Sequence, residues 1–152
     1  MLSLLRVLFF ALFITSVLAG TTQEGLDWLA AKGKEEGVVT RPSGLLYKEL
    51  RAGTGKTPKV DSPTKCHYEG RLMDGTVFDS SYKRGHPATF RPNQVIKGWT
   101  EAMQMMQEGG KWELYLPSEL AYGDRGAGKD IPPGAVLIFT LEMLEVLGDA
   151  AE

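Results

Sequence analysis

The sequence predicts an α+β domain in which a twisted antiparallel β-sheet wraps around one short α-helix, with a further helix at the N-terminus. Residues 64–72 and 111–116 alternate apolar and polar side chains, as half-buried strands do. Residues 136–147 form a long apolar run, which is typical of a central strand. One amphipathic stretch, residues 98–107, lies among these strands, and 18 Gly and 8 Pro indicate short elements joined by many turns.

The first 19 residues have the composition of a secretory signal peptide. Arg6 provides the positive charge, Val7–Ile14 is an unbroken apolar run, and Val17-Leu18-Ala19 offers signal peptidase a small-residue site. A membrane anchor is the alternative, but a spanning helix needs about 20 apolar residues, and this run is interrupted from Thr15 onward. We therefore expect a cleaved signal peptide at 1–19, no membrane span in the mature chain, and a secreted or cell-surface protein.

Residues 20–44 are predicted to form an N-terminal helix and a linker. A helix over Thr21–Glu36 would have Thr22 as its N-cap. Its apolar stripe is narrow and consists of Leu26, Leu29 and Ala30. Because an isolated helix of this length is marginal in water, we expect it to lean on the following domain or to project from it.

The predicted strands follow in order. They are residues 45–51, 64–72, 76–78, 111–116 and 136–147. The turn Met73-Asp74-Gly75 would join the second to the third as a hairpin. In the second strand, Cys66, Tyr68 and Gly70 are expected on the buried face, so His67 falls on the solvated face.

The stretch 98–107 is predicted to be the helix inside the sheet. Its large apolar residues share one helical face, and they are Trp99, Ala102, Met103 and Met106. Gly109-Gly110 would end it. A single amphipathic helix among antiparallel strands is best buried against the concave face of a curved sheet.

Composition excludes several classes of protein. The net charge is −2, so there is no basic excess to neutralise phosphates, and nucleic acid is not an expected partner. A single cysteine, Cys66, excludes an internal disulfide or a cysteine-rich zinc site, and we expect it to be a buried structural thiol.

Familiar catalytic motifs are incomplete. Gly53-Thr54-Gly55-Lys56-Thr57 resembles a phosphate-binding loop, but position 50 is Leu50, where the motif requires glycine. His67 and His86 are the only histidines, and neither has a cysteine or carboxylate cluster at ligand spacing. We therefore expect no metal, no cofactor and no conventional acid–base or nucleophilic machinery.

Several short motifs nevertheless occur together in a fixed order. They are Tyr68-Glu69-Gly70, Gly75-Thr76-Val77-Phe78-Asp79-Ser80-Ser81, Val95-Ile96-Lys97-Gly98-Trp99, Ala121-Tyr122-Gly123, Ile131-Pro132-Pro133 and Leu137-Ile138-Phe139. Together they resemble the FKBP-type peptidyl-prolyl cis-trans isomerases over residues 45–148, which leaves 149–152 as a C-terminal tail with no KDEL-like retrieval signal. Residues 36–45 further resemble the macrophage-infectivity-potentiator branch. The long dimerising N-terminal region of some members is absent, so the resemblance implies a monomer.

The resemblance also implies which residues act. Trp99 would form a pocket floor, Asp79 and Tyr122 would make polar contacts at the rim, and the Ile96 N–H would bind a substrate carbonyl. The catalytic set implied is Tyr68, Phe78, Asp79, Ile96, Trp99, Tyr122 and Phe139. Substrate-binding residues would be Phe90, Val95 and Ile131. Taken singly, each of these could instead be an ordinary core or turn residue. This sequence departs from the family pattern at Ala88, in the short connection 91–93 and at Asp130. These differences predict a more open rim around the pocket.

The function implied is that of a secreted isomerase, or rotamase, that accelerates Xaa–Pro isomerisation in peptides and folding proteins. Tacrolimus or rapamycin would be inhibitors. A non-catalytic module that holds proline-containing segments in the same pocket is the alternative, as is a chaperone that uses that pocket or the N-terminal helix.

Overall fold

The computed structural model describes residues 20–149, so the predicted signal peptide at 1–19 lies outside the described residues. Its strands are β1 (Val38–Thr40), β2 (Leu46–Arg51), β3 (Thr64–Leu72), β4 (Val77–Ser80), β5 (Ala88–Phe90), β6 (Lys111–Leu116) and β7 (Leu137–Val146). The helices are α1 (Gln23–Lys32), α2 (Ser81–Arg84) and α3 (Lys97–Met103). Within this range, no helix is long and apolar enough to cross a membrane.

All seven strands belong to one antiparallel sheet. The order is β1-β2-β6-β7-β3-β4, and β5 pairs with the first part of β3. The long strand β3 therefore organises one side of the sheet, since β7 lies along one of its edges while β5 and β4 share the other. The predicted α+β class is confirmed.

The inner face of the sheet packs against α3. Trp99, Ala102 and Met103 of this helix are buried, and so is Met106 just beyond it. From the strands, the buried partners include Cys66, Tyr68, Trp112, Leu114, Leu137, Phe139 and Leu141. The burial pattern of β3 alternates strictly over residues 64–70, as its sequence predicts.

The outer face is covered by α1. Leu29 is buried in a second cluster with Leu46, Tyr115, Val136 and Ile138. The Thr22 hydroxyl accepts a hydrogen bond from the Gly25 N–H at 3.1 Å, which confirms the predicted N-cap. Of the two arrangements expected for this helix, it leans on the sheet and does not project.

Several predicted boundaries are wrong by one to four residues, both at short elements and at α1 and β7. The N-terminal helix ends at Lys32 instead of Glu36, because Gly33 serves as its C-cap. The inner helix ends at Met103, before the predicted residue 107. Residues 38–40 fall in the predicted linker but form an edge strand on β2, and neither β5 nor α2 is predicted. A three-residue edge strand is too short to show a period-2 pattern in the sequence. Its stability comes from pairing with a neighbouring strand, which the local sequence does not reveal.

Candidate functional site

A cavity of about 430 Å³ opens on the inner face of the sheet at one end of α3. Its lining residues come from β3, β4, β5, β7, α3 and two loops, and they are Tyr68, Phe78, Asp79, Phe90, Gln94, Val95, Ile96, Trp99, Tyr122 and Phe139. Nine of the ten residues predicted for the site are in this set. The elements that contribute them are far apart in sequence, so the pocket forms only when these four strands, α3 and the two loops come together.

The tenth residue, Ile131, does not line the cavity. It is buried in the inner core and exchanges backbone hydrogen bonds with Ala127, at 2.9 and 3.1 Å, across a small loop. The structure instead adds Gln94 to the lining. Gln94 ends a short 3-10 turn over Pro92–Gln94, and a lone polar residue in a connection gives no sequence signal.

Trp99 forms the floor of the cavity. Its side chain is only 4% exposed, and three aromatic rings meet it edge to face. The ring-centroid distances are 5.3 Å to Tyr68, 5.2 Å to Phe90 and 5.3 Å to Phe139. Edge-to-face contacts in this range are the favourable geometry for aromatic pairs, so the rings fix one another in place.

A glycine in β3 allows two walls of the cavity to approach. A Cβ at Gly70 would lie 2.4 Å from Cζ of Phe78 and 2.8 Å from Cε1 of Phe139. These two rings pack at 5.7 Å and 90° to each other. Any side chain at position 70 would therefore push both rings out of their present positions.

A polar network borders the apolar walls. The Tyr68 hydroxyl donates to Asp79 Oδ2, and Arg84 of α2 donates to Asp79 Oδ1 and, at 2.9 Å, to the Tyr68 hydroxyl oxygen. Burial opposes ionisation of Asp79, but the hydrogen bonds from Tyr68 and Arg84 outweigh it, so the pKa of Asp79 lies below its usual value. Burial and the bond to Asp79 raise the pKa of Tyr68. The carboxylate is thus held ionised and oriented beside a neutral phenol.

Two groups at the rim can bind an incoming chain. Tyr122 is 40% exposed and lines the cavity where the glycine-rich loop begins. Ile96 is the N-cap residue of α3, and among residues 20–149 its N–H has no backbone hydrogen-bond partner. The site therefore combines an apolar interior with a few polar groups around its entrance.

Near the site, His67 and Cys66 make contacts that serve the fold. His67 Nδ1 lies 2.8 Å from the Ser81 hydroxyl, and its ring stacks on Tyr82. Cys66 is buried as expected, and burial raises the pKa of its thiol to about 12. Between residues 20 and 149, no group of three or more His, Cys, Asp or Glu side chains is placed to hold a metal ion.

Comparison with known proteins agrees with this geometry. The family model for FKBP-type peptidyl-prolyl cis-trans isomerases matches residues 54–144, which is more than half of the chain. The chain belongs to this family. The cavity described above lies within the FKBP-type region, since residues 68–139 supply all of its lining.

Individual FKBP-type relatives are similar over most of the chain. The FKBP-type 22 kDa peptidyl-prolyl cis-trans isomerase of Escherichia coli is 50% identical over 124 residues, which cover 82% of this chain and 60% of that protein. A macrophage infectivity potentiator of Trypanosoma cruzi is 49% identical over 123 residues, covering 80% and 63%, so the predicted branch is confirmed. The crystal structure of FkpA from Escherichia coli superposes with a TM-score of 0.78 at 43% identity, covering 81% of this chain and 57% of that one. The chain thus spans about three fifths of the length of these relatives.

Proposed function

We propose that this protein is a peptidyl-prolyl cis-trans isomerase that binds a proline residue in the aromatic cavity and accelerates rotation about the preceding peptide bond. The cavity itself is the observation that supports this function most strongly. Its floor and walls are aromatic rings held edge to face, and its polar groups lie at the border. Membership in the FKBP-type family is consistent with this activity.

The reaction requires no acid, base or nucleophile. The barrier to rotation, about 18–20 kcal/mol, arises from amide resonance, which separates charge between oxygen and nitrogen. A twisted amide has lost much of that charge separation, so an apolar pocket stabilises it relative to the planar form. Each 1.4 kcal/mol of selective stabilisation gives about a tenfold increase in rate.

The polar groups at the rim have a positioning role in this proposal. The Ile96 N–H and the Tyr122 hydroxyl hold carbonyl groups on either side of the twisting bond, so that rotation leads to one defined geometry. Asp79 contributes an ionised carboxylate at the wall, and its orientation is fixed by Tyr68 and Arg84.

The substrates proposed are proline-containing peptides and folding proteins outside the cytoplasm. The composition of residues 1–19 supports export with a cleaved signal peptide. Tacrolimus and rapamycin are proposed as inhibitors that occupy the same cavity, and a monomer as the active form. A cavity of about 430 Å³ lies within the range typical of small-molecule sites.

Exchange spectroscopy on a short Xaa–Pro peptide tests the proposal. We expect catalytic amounts of protein to accelerate cis–trans exchange, rapamycin to abolish the effect, and Tyr122→Phe to reduce it several-fold. Tyr82→Phe is the matched control, since Tyr82 is 39% exposed against 40% for Tyr122 and does not line the cavity. Peptide binding without acceleration at stoichiometric protein would favour the non-catalytic binding module.

A further inference from the structure

The three residues that follow the proposed cleavage site are bound to the part of the chain that carries Tyr122. Thr21 is buried, and its N–H donates to Glu119 Oε1 at 2.9 Å while its hydroxyl bonds Glu119 Oε2 at 2.7 Å. The Thr21 hydroxyl oxygen also accepts from the Ser118 N–H at 2.8 Å. Residue 21 is therefore fixed to the turn that precedes the tyrosine.

Backbone hydrogen bonds extend this attachment to the residue after Tyr122. The Thr22 N–H donates to the Gly134 carbonyl at 3.1 Å, and the Gly134 N–H donates to the Gly123 carbonyl at 2.9 Å. Gly134 has φ +71°, and a Cβ there would lie 2.6 Å from the Gly20 carbonyl oxygen. The close approach of these two chain segments thus depends on a glycine at position 134.

Two carboxylates lie beside the backbone nitrogen of Gly20 and its Cα. The Gly20 N–H donates to Asp124 Oδ1, and an ideal Cβ on Gly20 would fall 2.6 Å from Glu119 Oε1. Burial opposes ionisation of Glu119, but its hydrogen bonds from Thr21 prevail and hold its pKa below the usual value. Gly20 therefore lies beside two negatively charged side chains. As long as its nitrogen is part of a peptide bond, it carries no positive charge to balance them.

We propose that cleavage after Ala19 creates an α-ammonium group on Gly20 that binds the carboxylates of Asp124 and Glu119 and thereby fixes the loop that carries Tyr122 at the rim of the cavity. This inference rests on the proposed signal-peptide cleavage and not on the isomerase activity. Hydrolysis of the Ala19–Gly20 peptide bond consumes one water and leaves a carboxylate on Ala19 and a protonated amine on Gly20.

The new terminus differs from the peptide it replaces in charge and in donor number. A peptide nitrogen offers one neutral donor, whereas an ammonium group offers three donors with a full positive charge. An α-amino group has an ordinary pKa of about 7.7–8.0, and adjacent carboxylates favour its charged form. Processing would therefore add a positive charge to an attachment that the precursor already makes through hydrogen bonds from uncharged donors to carboxylates.

A double-mutant cycle on the mature chain tests this ion pair. Four proteins that begin at Gly20 are compared by their melting temperature: the free amine and the N-acetylated form, each with Asp124 and with Asp124→Asn. We expect acetylation to lower the melting temperature by about 1–3 °C with Asp124 present and by less than about 0.5 °C with Asp124→Asn. Equal shifts in both backgrounds, or no shift in either, would overturn the proposed ion pair.

Hydrogen exchange shows whether the effect reaches the tyrosine loop. The Gly126 N–H donates to the Tyr122 carbonyl at 3.2 Å, so its exchange should be at least about twofold faster in the acetylated protein. The Gly110 N–H, bonded to the Gln107 carbonyl at 2.9 Å in another turn, is the control and should not change. Unchanged exchange at Gly126 would refute the coupling to the rim.

Two further measurements distinguish failure of this inference from failure of the isomerase proposal. The mass of the exported protein identifies its first residue, and a terminus other than Gly20 would refute the inference while leaving the isomerase proposal intact. Peptide isomerisation by the free-amine protein is assayed in parallel. If this protein is inactive but the double-mutant cycle gives the expected melting-temperature shifts, only the isomerase proposal is refuted.

Discussion

The two faces of the sheet are both packed against a helix, but they differ in what they enclose. On the outer face, α1 covers a small cluster built around Leu29, Tyr115 and Ile138. On the inner face, α3 packs against a larger core whose aromatic end opens as the cavity above Trp99. Neighbouring residues of one strand lie on opposite faces of the sheet: in β7, Phe139 packs in the inner core and Ile138 in the outer cluster.

This difference separates residues that contribute only to stability from residues that also contribute to function. Substitutions on the outer face should change the free energy of unfolding without changing peptide isomerisation. Substitutions at the open end of the inner face should change both, because the same rings complete the core and form the binding surface.

Replacing the floor of the cavity should have the largest effect. Trp99→Ala removes a 4% exposed ring that contacts three others, and loss of a buried Trp costs about 3–5 kcal/mol of stability. Isomerisation per folded molecule should also fall by at least about tenfold, which corresponds to 1.4 kcal/mol of barrier. Urea unfolding and peptide exchange measure the two effects, and Trp99→Leu serves if the alanine variant does not fold. Full activity in the folded variant would place the active site elsewhere.

The matching substitution on the outer face is Leu29→Ala. Leu29 is 8% exposed and packs in the second cluster, so the loss of stability should be about 2–3 kcal/mol. Isomerisation below the melting temperature should remain at the wild-type rate, because no residue of this cluster lines the cavity. A parallel loss of activity would show that the two faces are coupled.

Asp79→Asn should remove part of the pH dependence of stability. The pKa of Asp79 is lower in the folded state than in the unfolded state, where it is about 3.9. The stability that the ionised carboxylate contributes is therefore present above the unfolded-state pKa and is lost as the pH falls through the folded-state pKa. Wild type should therefore be more stable than the variant by a constant amount from pH 7 to pH 5. That difference should shrink below about pH 4. Urea midpoints across this range provide the measurement. A difference in stability that persists unchanged to pH 2 would refute the idea that the folded state stabilises the ionised form of Asp79.

The smallest effect is expected on the outer face at Lys32. Its Nζ lies 5.1 Å from the Trp28 ring and 5.2 Å from the Tyr115 ring, and 2.9 Å from Glu35 Oε1. Lys32→Met keeps the apolar stem and removes the charge, so we expect a loss of about 0.5–1 kcal/mol. Lys34→Met, at an exposed position nearby, is the control. Equal urea midpoints for the two variants would show that the Lys32 charge contributes nothing through its aromatic contacts or its ion pair with Glu35.

The sequence predicted the parts of the fold where periodicity is strong. Residues 64–72 and 111–116 match β3 and β6 at both ends, because apolar and polar side chains alternate along most of each strand. The edge strand at 38–40 escaped prediction because its stability comes from pairing with β2. Most of the site was predicted through resemblance to a family, since no single segment contains it.

What the sequence could not provide was the set of contacts between distant segments. The bonds among Tyr68, Asp79 and Arg84 depend on the register of β3 with β4 and on the position of α2. Gln94 enters the cavity only because a 3-10 turn places it there. The attachment of Thr21 to Glu119 joins residues 98 positions apart, a separation at which no local pattern gives information.

If the aromatic cavity on the inner face performs peptidyl-prolyl isomerisation, damage to that cavity should slow the reaction and damage to the outer face should not. Cis–trans exchange of one Xaa–Pro peptide is measured with wild type, Trp99→Ala and Leu29→Ala, each at a temperature where it is folded. We expect acceleration by wild type and Leu29→Ala at similar rates and a reduction of at least about tenfold with Trp99→Ala. Equal acceleration by all three proteins, or none by wild type, would show that the cavity does not perform the isomerisation.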